Sequence, residues 1–461
     1  MKHSPFYILI VGLGILLRLY QIDNEFAQDE LFSVQIASAS FGHLLTAALA
    51  DSTHTPLHLI LLHLWLRLWG ISEVSARALS VVASGLFLLL LYRVALRWMR
   101  EESALVVLIL CAASPFFVYY GQFARPYALV PLWLTLSIYF LYKSQDDPSN
   151  QLYKIVYGVS CAAVVYTQYI GVFVLIPQFV ALALSRERVQ RTLLLYGLGG
   201  MLSILPWLLL SIGENFQPQG LEERIGWLPR PTLFALPAFF VDVLWPLRIR
   251  GIPRVFVLLS TSILLPIIVK SGERVWQQFM LLASIAFLGP IIILILSRSS
   301  PLSIWAPRQM IGSACFFVVL LGFGLNLHRR WLGYLLASVL VGGCIATLPT
   351  ELSYDRNPPW REIVSVVQQK CPDCDVVVEG GGWTFLDPLR YYSHREVHAV
   401  EDYKNRLDKT KPIAFLCRPV QCESLQDIAY HAKIRESRSM AWYTGGPYHT
   451  FQIYFFVQGS A

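Results

Sequence analysis

The sequence predicts a polytopic α-helical membrane protein that ends in a small soluble α/β domain. Of its 461 residues, 55% are hydrophobic and 15% are charged, and the mean hydropathy is +0.51. Charged residues make up about a quarter of a typical soluble domain. Apolar runs of the roughly 17–25 residues that span a bilayer core recur from Phe6 to Thr347 and then stop. We therefore expect a membrane domain over residues 1–350 and an α/β domain over 351–461.

About 11 apolar runs are long enough to be transmembrane helices. They lie near residues 6–21, 76–95, 104–120, 127–142, 154–168, 170–185, 192–212, 253–270, 276–296, 309–326 and 331–349. The loops at every second crossing carry Arg93, Arg97, Arg100, Lys143, Lys154, Arg186, Arg188, Arg191, Lys270, Arg274, Arg329 and Arg330. The positive-inside rule makes these loops cytoplasmic, and an odd number of crossings exports the C-terminal domain. Orientation explains the net charge of +7 more simply than a nucleic-acid partner does.

The N-terminal apolar run has two interpretations. Lys2 and His3 followed by Phe6–Leu17 resemble a secretory signal peptide. Arg18 closes the run, however, and no small-x-small cleavage site follows closely. We therefore interpret the run as the first membrane helix.

Two further apolar stretches fit the helix count poorly. Thr55–Trp69 and Leu233–Leu247 are short for a bilayer span, and counting the first as a span would place Arg93–Arg100 outside. We expect both to be interfacial helices, with an ordinary membrane helix as the alternative. Val34–Ala50 is mildly amphipathic and is expected to lie flat in the same outer loop.

The C-terminal segment alternates between β-rich and helical stretches. The predicted strands are Asp375–Glu379, Pro412–Leu416 and Phe451–Phe456, and the predicted helices are Trp360–Lys370 and Asp387–Ser393. This alternation is typical of a small α/β domain.

Four cysteines lie in that segment, namely Cys371, Cys374, Cys417 and Cys422. If the segment is exported, one or two disulfides are expected. The Cys371-Pro-Asp-Cys374 spacing also suits a redox pair or half of a zinc site. A metal site is disfavoured because no histidine or second CxxC follows at zinc-finger spacing.

Two adjacent carboxylates, Asp29 and Glu30, stand just beyond the outer end of the first helix. A solvated loop pair is one interpretation. The other is catalytic, because an ionised carboxylate at the interface can act as the general base toward an acceptor hydroxyl or amine.

A histidine and two arginines follow in segments predicted to be outer. His54 precedes Pro56 at the start of the interfacial helix, either as a partner of the carboxylates or as an interfacial anchor. Arg125 lies in the aromatic turn from Tyr119 to Tyr127, and Arg308 follows Trp305-Ala-Pro. Guanidinium groups bind phosphate or carboxylate with two parallel hydrogen bonds, whereas a snorkelling anchor is the alternative for Arg125.

Taken in order, these elements resemble the GT-C glycosyltransferases of the family 39 type, which are relatives of the protein O-mannosyltransferases and the lipid A aminoarabinose transferase. The resemblance covers most of the chain. The matching elements are Asp29-Glu30, His54-Thr-Pro-Leu57, Ser114-Pro-Phe116, Gln122-Phe-Ala-Arg-Pro-Tyr127, Pro307-Arg-Gln309 and Trp360-Arg361. The sequence departs from the family pattern at Thr55, Gln122 and Gln309, where proline, an acidic residue and tyrosine are usual.

The resemblance implies an inverting transfer of a sugar from a polyprenyl-phosphate donor to a lipid, glycan or protein acceptor. Asp29 would deprotonate the acceptor, and Glu30 would position it or a neighbour. The implied substrate-binding residues are His54, Gln122, Arg125, Tyr127 and Arg308, with the two arginines on the departing phosphate. No cofactor, metal or nucleotide is obligatory for this chemistry. The expected location is a bacterial plasma membrane, with the active site and the C-terminal domain extracytoplasmic.

Two other functions compete with this one. A lipid or glycan transporter also uses charged residues and broken helices, but it would hold them at the midplane and usually shows inverted repeats. A catalytically silent GT-C-like scaffold is suggested by the three departures. In the C-terminal domain, Trp383 and the pair Tyr391-Tyr392 suit either sugar stacking or the core, and core is favoured for the tyrosines.

Overall fold

The computed structural model describes residues 5–51, 54–185, 187–215, 226, 228–246, 252–270, 272–352, 357–379, 385–400, 412–417, 432–441 and 450–458. The chain divides into two compact units. The first unit comprises Met1–Ile22 and Ile36–Glu351, and the second comprises Asp23–Gln35 and Leu352–Ala461. The second unit thus combines the C-terminal segment with a short piece of the predicted first outer loop, a grouping that the sequence did not indicate.

The first unit is helical. Its helices are α1 (Phe6–Leu19), the end of α2 (Gln28–Ser38), α3 (Phe41–Asp51), α4 (Pro56–Trp69), α5 (Glu73–Ala95), α6 (Glu101–Ala113), α7 (Pro115–Gln122), α8 (Leu129–Asp146), α9 (Gln151–Thr167), α10 (Val172–Leu184), α11 (Arg188–Leu202), α12 (Leu205–Asn215), α13 (Ala235–Leu244), α14 (Ile252–Lys270), α15 (Glu273–Ser299), α16 (Ile311–Leu327) and α17 (Arg330–Leu352). Short 3-10 turns cover Pro126–Ala128, Tyr169–Gly171 and Pro307–Met310. Every predicted membrane segment coincides with helical residues, and two segments are broken, at Ser114 and near Ser203.

Five of the described helical segments are long and apolar enough to cross a bilayer. They are Glu73–Ala95, Arg188–Ser211, Val275–Ser299, Pro307–Leu327 and Arg330–Pro349, and the bent pair α6 and α7 would make a sixth. Of the Pro307–Leu327 window 89% is buried, compared with 17% for Arg188–Ser211. Pro307–Leu327 is therefore central in the unit, and Arg188–Ser211 is peripheral. The number of crossings stays a prediction.

Several predicted cytoplasmic loops meet at one end of the first unit. Arg97 donates to Asp146 at 2.6 and 3.1 Å. The main-chain N–H of Arg100 donates to Asn326 at 2.8 Å, and Gln145 donates to Gln190 at 3.0 Å. The basic loops after α5, α8, α10 and α16 therefore share one end, as the positive-inside assignment requires.

A proline breaks the helical segment between α6 and α7. Pro115 has no N–H, so the carbonyl of Cys111 loses its helical donor, and the two helices are bent by 58°. Arg18, which is only 1% exposed, donates instead to the carbonyls of Cys111 and Ala112, both at 3.0 Å. It also donates to Phe117 at 3.1 Å, and to Gly14 in its own helix at 2.8 Å. One buried guanidinium thus satisfies the carbonyls that the break exposes.

Helices α9 and α11 pack closely through glycines. A methyl group on Gly200 would lie 2.0 Å from the carbonyl oxygen of Gly158, whereas a methyl group on Gly199 would meet nothing within 4 Å. Backbone atoms therefore occupy the space that a side chain at position 200 would need.

We expect Gly200→Ala to destabilise the protein by about 1–3 kcal/mol, because overpacking forces the two helices apart. Thermal unfolding of the purified protein in detergent measures this. Gly199→Ala, one residue away on the same helix, is the matched control and should unfold like the wild type. Equal midpoints for the two variants would contradict the packing argument.

The amphipathic stretch Val34–Ala50, which was predicted to lie flat in the outer loop, consists of the end of α2 followed by α3. The side chain of Ser40 accepts a hydrogen bond from the N–H of His43 at 3.4 Å and so caps the start of α3. Leu44 and Ala48 of α3 pack with Leu59 of α4 and with Trp207. The predicted segment Leu233–Leu247 contains the shorter helix α13.

The second unit contains helices α18 (Trp360–Lys370) and α19 (Asp387–Ser393) and strands β1 (Asp375–Val378), β2 (Val397–Ala399), β3 (Ile413–Cys417), β4 (Ala432–Ala441) and β5 (Thr450–Gln458). The sheet order is β2-β1-β3-β5-β4. Strands β1, β2 and β3 are parallel, and β5 is antiparallel to β3 and β4. The predicted helices and three strands are present. The sequence missed β2, which is only three residues long, and β4, whose charged residues mask its pattern.

Both faces of this sheet are covered by apolar residues. Val376 and Val378 pack with Trp360 and Leu389 on one face, and Val377 packs with Phe415 on the other. This follows from the two-residue period of a strand.

Of the alternatives left open for Cys371 and Cys374, the structure has a disulfide between them. It follows the C-terminal end of α18, whereas reactive CxxC thiols are favoured at a helix N-terminus. The position therefore favours a structural crosslink. Cys417 is also disulfide-bonded, and Cys422 and Trp383 lie outside the described residues.

Candidate functional site

The predicted site residues fall in both units, and each group is described by itself. Asp29 and Glu30 belong to the second unit. The first unit holds His54, Gln122, Arg125, Tyr127 and Arg308.

The two adjacent carboxylates have different surroundings. Glu30 is fully buried, and its Oε2 accepts a hydrogen bond from the N–H of Ala27 at 3.0 Å. As α2 begins at Gln28, this is the back-bonding half of a capping box, with Glu30 at the third helical position. Asp29 is partly exposed at the second position. Glu30 thus holds the turn that presents Asp29.

The chain just before this pair is anchored by α18 and α19 of the same unit. The N–H of Phe26 donates to the hydroxyl of Tyr392 at 2.7 Å, and the indole N–H of Trp360 donates to the carbonyl of Phe26 at 3.2 Å. Phe26 is completely buried. Sequence reasoning placed Tyr392 in a core and matched Trp360 to a family motif, but it did not predict that either would hold the carboxylate segment.

Arg361 and Asn357 add polar contacts to the same segment. The amide of Asn357 donates to the carbonyl of Glu25 at 2.7 Å. Arg361 lies 3.9 Å from the carboxylate of Glu25 and stacks over the ring of Tyr392, with 5.3 Å to the centroid. The position of Asp29 is therefore set by residues more than 300 positions away in the sequence.

Arg125 is the central residue of the first unit's candidate site. Its backbone is extended, with φ −141° and ψ 169°, as expected before Pro126. The residue is 5% exposed. A guanidinium retained at such a position requires hydrogen-bond partners, because burying an unpaired charge is costly.

Asp51 and His54 supply a hydrogen-bonded chain to this guanidinium. His54 Nε2 lies 2.5 Å from Arg125 Nη2, and His54 Nδ1 bonds the carboxylate of Asp51. Arginine can only donate, so Nε2 must be the acceptor. In this arrangement the N–H at Nδ1 donates to Asp51. The sequence predicted His54 and Arg125 but did not assign a role to Asp51.

His58 lies one helical turn from His54 and is 4% exposed. Burial, together with the nearby Arg125 and His54, lowers its pKa to about 3. His58 is therefore neutral at physiological pH. His58 therefore adds no second positive charge beside Arg125.

A series of aromatic rings connects the Arg125 turn with the Arg308 turn. Tyr127 contacts Tyr120 at 5.2 Å between centroids, and Tyr120 contacts Phe116 at 4.9 Å. Phe116 then contacts Phe239 at 6.1 Å, and Phe239 contacts Trp305 at 6.5 Å. Trp305 precedes Arg308 by three residues. The two arginine-bearing turns are thus parts of one packed region of the first unit.

Gln122 and Gln309, which both depart from the family pattern, have different surroundings. Gln122, with its amide nitrogen oriented to donate, bonds the carbonyls of Arg18 at 3.0 Å and Tyr20 at 3.2 Å. Gln309 lines a small cavity with Gly171 and Gly289. Its side-chain oxygen has no hydrogen-bond partner among the described residues. Within that part of the chain, no group of three histidine, cysteine or acidic residues converges to hold a metal ion.

Comparison with known proteins adds the family context. Residues 53–210 match the model of a family described as dolichyl-phosphate-mannose-protein mannosyltransferase. This segment includes His54, Gln122, Arg125 and Tyr127. A sequence comparison with curated proteins finds no match.

Solved structures resemble the whole chain. ArnT from Cupriavidus metallidurans, bound to undecaprenyl phosphate, aligns with a TM-score of 0.50 and 13% identity, over 97% of this chain and 98% of that one. The chain has the GT-C fold of membrane glycosyltransferases. The resemblance predicted from the sequence motifs is confirmed.

Two other GT-C structures align over most of this chain. The oligosaccharyltransferase AglB from Archaeoglobus fulgidus, in complex with an inhibitory peptide and a dolichol-phosphate, has a TM-score of 0.50 and 11% identity, over 99% of this chain and 74% of that one. The arabinofuranosyltransferase AftD from Mycobacteria has a TM-score of 0.52 and 13% identity, over 91% of this chain and 37% of that one.

Proposed function

We propose that this GT-C protein is an inverting glycosyltransferase that moves a sugar from a polyprenyl-phosphate donor to a lipid, glycan or protein acceptor. The observation that carries the proposal is the buried Arg125, which bonds His54 and through it Asp51. Arg125 and His54 lie within the segment that matches the mannosyltransferase family. A guanidinium held in this way suits a phosphate leaving group. Undecaprenyl phosphate and dolichol-phosphate in the ArnT and AglB structures support this donor class.

The proposed reaction is a single displacement at the anomeric carbon. Asp29 takes the proton of the acceptor, whose oxygen or nitrogen then forms the new bond to that carbon. The bond from the carbon to the phosphate oxygen breaks, and its electron pair leaves with the phosphate. Arg125 and Arg308 stabilise this developing charge, and attack opposite the leaving group inverts the anomeric centre. Side chains supply the base and the positive charges that this reaction needs, so the proposal requires no cofactor.

The remaining site residues support these groups. Glu30 accepts a hydrogen bond from Ala27 and so holds the turn that presents Asp29, and Tyr127 stacks on Phe123 in the same turn as Arg125. We propose that His54 acts in substrate binding through Arg125, because both of its ring nitrogens are already engaged. Gln122 acts at the edge of the same site, through the main chain that follows α1.

We also propose that the site and the second unit face the outside of a bacterial plasma membrane. The gathering of the basic loops at one end supports this orientation, and so does the Cys371–Cys374 disulfide, because disulfides persist in oxidising compartments. A lipid-linked donor suits an outer site, since its sugar crosses the membrane with its lipid.

The test is transfer by the purified protein in lipid nanodiscs. A panel of polyprenyl phosphates carrying different radiolabelled sugars is supplied with membrane extract as the source of acceptors. Label in a product, or hydrolysis of one donor, would establish a transferase and identify the sugar. A correctly folded protein that neither transfers nor hydrolyses any donor would favour a silent scaffold or a transporter.

We expect Asp51→Asn to lower transfer by about 100-fold, the scale of a misplaced catalytic group. The amide can donate to His54 Nδ1, which moves the ring proton to Nε2, where it opposes the N–H of Arg125. His54→Gln should retain activity within about tenfold, since its amide oxygen can replace the Nε2 acceptor. The shorter His54→Asn should not. Initial rates and KM for the donor measure these effects.

The control for this series is His43→Gln, which changes an exposed histidine of α3. It should transfer at the wild-type rate. Wild-type activity of Asp51→Asn, or equal losses in His54→Gln and His54→Asn, would show that the hydrogen-bonded chain does not position Arg125.

A further inference from the structure

A small crevice open to the surface lies in the first unit at the end that contains the basic loops. Arg100 and Arg330 both line it, and so does the hydroxyl-bearing Tyr334. Apolar walls are formed by Val106 and Leu325. Arg100 precedes α6, whereas Arg125 follows the other end of the bent pair, so this crevice is separate from the candidate active site.

The guanidinium of Arg100 is held in one orientation. Its Nε donates to the side-chain oxygen of Asn326 and its Nη2 donates to the carbonyl of Asn326, both at 3.1 Å. Asn326 does not use Nη1 of Arg100. Because the guanidinium is planar, the two bonds also fix the direction of Nη1. A group that is already oriented loses little conformational freedom when a ligand binds.

The charges in the crevice are mainly positive. Glu102 also lines it, but in the part of the chain that the structure describes neither Arg100 nor Arg330 forms an ion pair with it or with any other acid. Two arginines against one exposed carboxylate leave a net positive charge. Guanidinium groups match the oxygens of a phosphate.

The surface next to the crevice is apolar and exposed. Trp331 is 65% exposed, Leu335 is 54% exposed, and Tyr334 at the mouth is 51% exposed. Tryptophan and tyrosine are enriched at the level of lipid headgroups, close to basic residues. This composition suits a surface at the level of the lipid headgroups.

We propose that this crevice binds the headgroup phosphate of an anionic phospholipid. The phosphate lies between Arg100 and Arg330 and accepts from the hydroxyl of Tyr334. One acyl chain follows Val106 and Leu325. Basic crevices between membrane helices are known to bind anionic headgroups in this way. The site is independent of the sugar-transfer reaction and stabilises the helix pair α6 and α17.

The test is native mass spectrometry of the delipidated full-length protein with added phosphatidylglycerol, phosphatidylethanolamine or inorganic phosphate. We expect wild type to retain phosphatidylglycerol in preference to phosphatidylethanolamine. Arg330→Gln should lower this retention by about fivefold, the effect of one basic residue near a charged headgroup. Arg329→Gln, which changes the neighbouring exposed arginine outside the crevice, should match wild type.

Four outcomes would overturn the proposal. Equal retention of the two phospholipids would exclude recognition of the anionic headgroup. Unchanged retention in Arg330→Gln, or an equal loss in Arg329→Gln, would exclude this crevice as the site. Displacement of phosphatidylglycerol by millimolar inorganic phosphate would assign the site to a free anion instead. Arg330→Lys, which keeps the charge, should retain part of the binding and shows that the Gln variant has not simply misfolded.

Discussion

Replacement of Asp29 by Asn is expected to lower sugar transfer by about 10²–10⁴-fold, the range over which general-base catalysis contributes. The amide is nearly the same size as the carboxylate but cannot take the acceptor proton. Asp29 is partly exposed, so the change should not disturb a buried contact of the protein core. The measurement is single-turnover transfer from the donor identified with the wild type, normalised to folded protein.

Two neighbouring acids make this prediction specific. Asp23→Asn alters an exposed carboxylate six residues earlier in the same segment and should transfer normally. Glu30→Gln keeps a side-chain oxygen that can accept from the N–H of Ala27, so it should lose much less activity than Asp29→Asn. If Asp29→Asn transfers as well as Asp23→Asn, Asp29 is not the base. Full donor binding with no transfer in Asp29→Asn would separate the loss of the base from the loss of the substrate site.

Replacement of Arg18 by Met is expected to destabilise the protein by at least about 3 kcal/mol. The side chain is buried and donates to four main-chain carbonyls, of Gly14, Cys111, Ala112 and Phe117. A buried acceptor that loses its partner costs about 1–3 kcal/mol, and the carbonyls of Cys111 and Ala112 at the helix break lose theirs together. Methionine fills the volume but donates no hydrogen bond. Thermal and denaturant unfolding in detergent measure the loss.

The control is Arg67→Met, which removes an exposed arginine from the last turn of α4 and should leave stability within about 0.5 kcal/mol of wild type. Arg18→Lys should be intermediate, because one ammonium group cannot reach all the carbonyls in the same plane. If Arg18→Met unfolds like Arg67→Met, other groups satisfy the broken helix, and the role assigned to Arg18 is wrong.

Local patterns in the sequence were enough to predict most of the elements. Apolar length located the helical segments of the first unit, and β-rich runs located three of the five strands. The pattern failed where an element is too short or too polar to show it, as in Val397–Ala399 and Ala432–Ala441. It also failed at Ser38–Ser40, where a local cap divides one amphipathic stretch into two helices.

The candidate site was predicted in part, because reactive residue types in short motifs can be recognised without their partners. Asp29, Glu30, His54 and Arg125 were all identified in this way. Asp51 was given no role, because a single acid at the end of an apolar stretch has no distinctive local pattern. Its proposed role depends on the fold, which places Asp51 at Nδ1 of His54 and Arg125 at Nε2 of the same ring.

The sequence by itself determined that this is a helical membrane protein of the GT-C type, since hydropathy and ordered motifs are properties of the chain alone. Only the tertiary structure decided which residues hold the reactive groups in place. Arg18 serves carbonyls about 95 residues away in the sequence, and Trp360 and Tyr392 hold Phe26 from more than 330 residues away. Hydrogen bonds depend on distances of about 3 Å in space, and those distances exist only after the chain has folded.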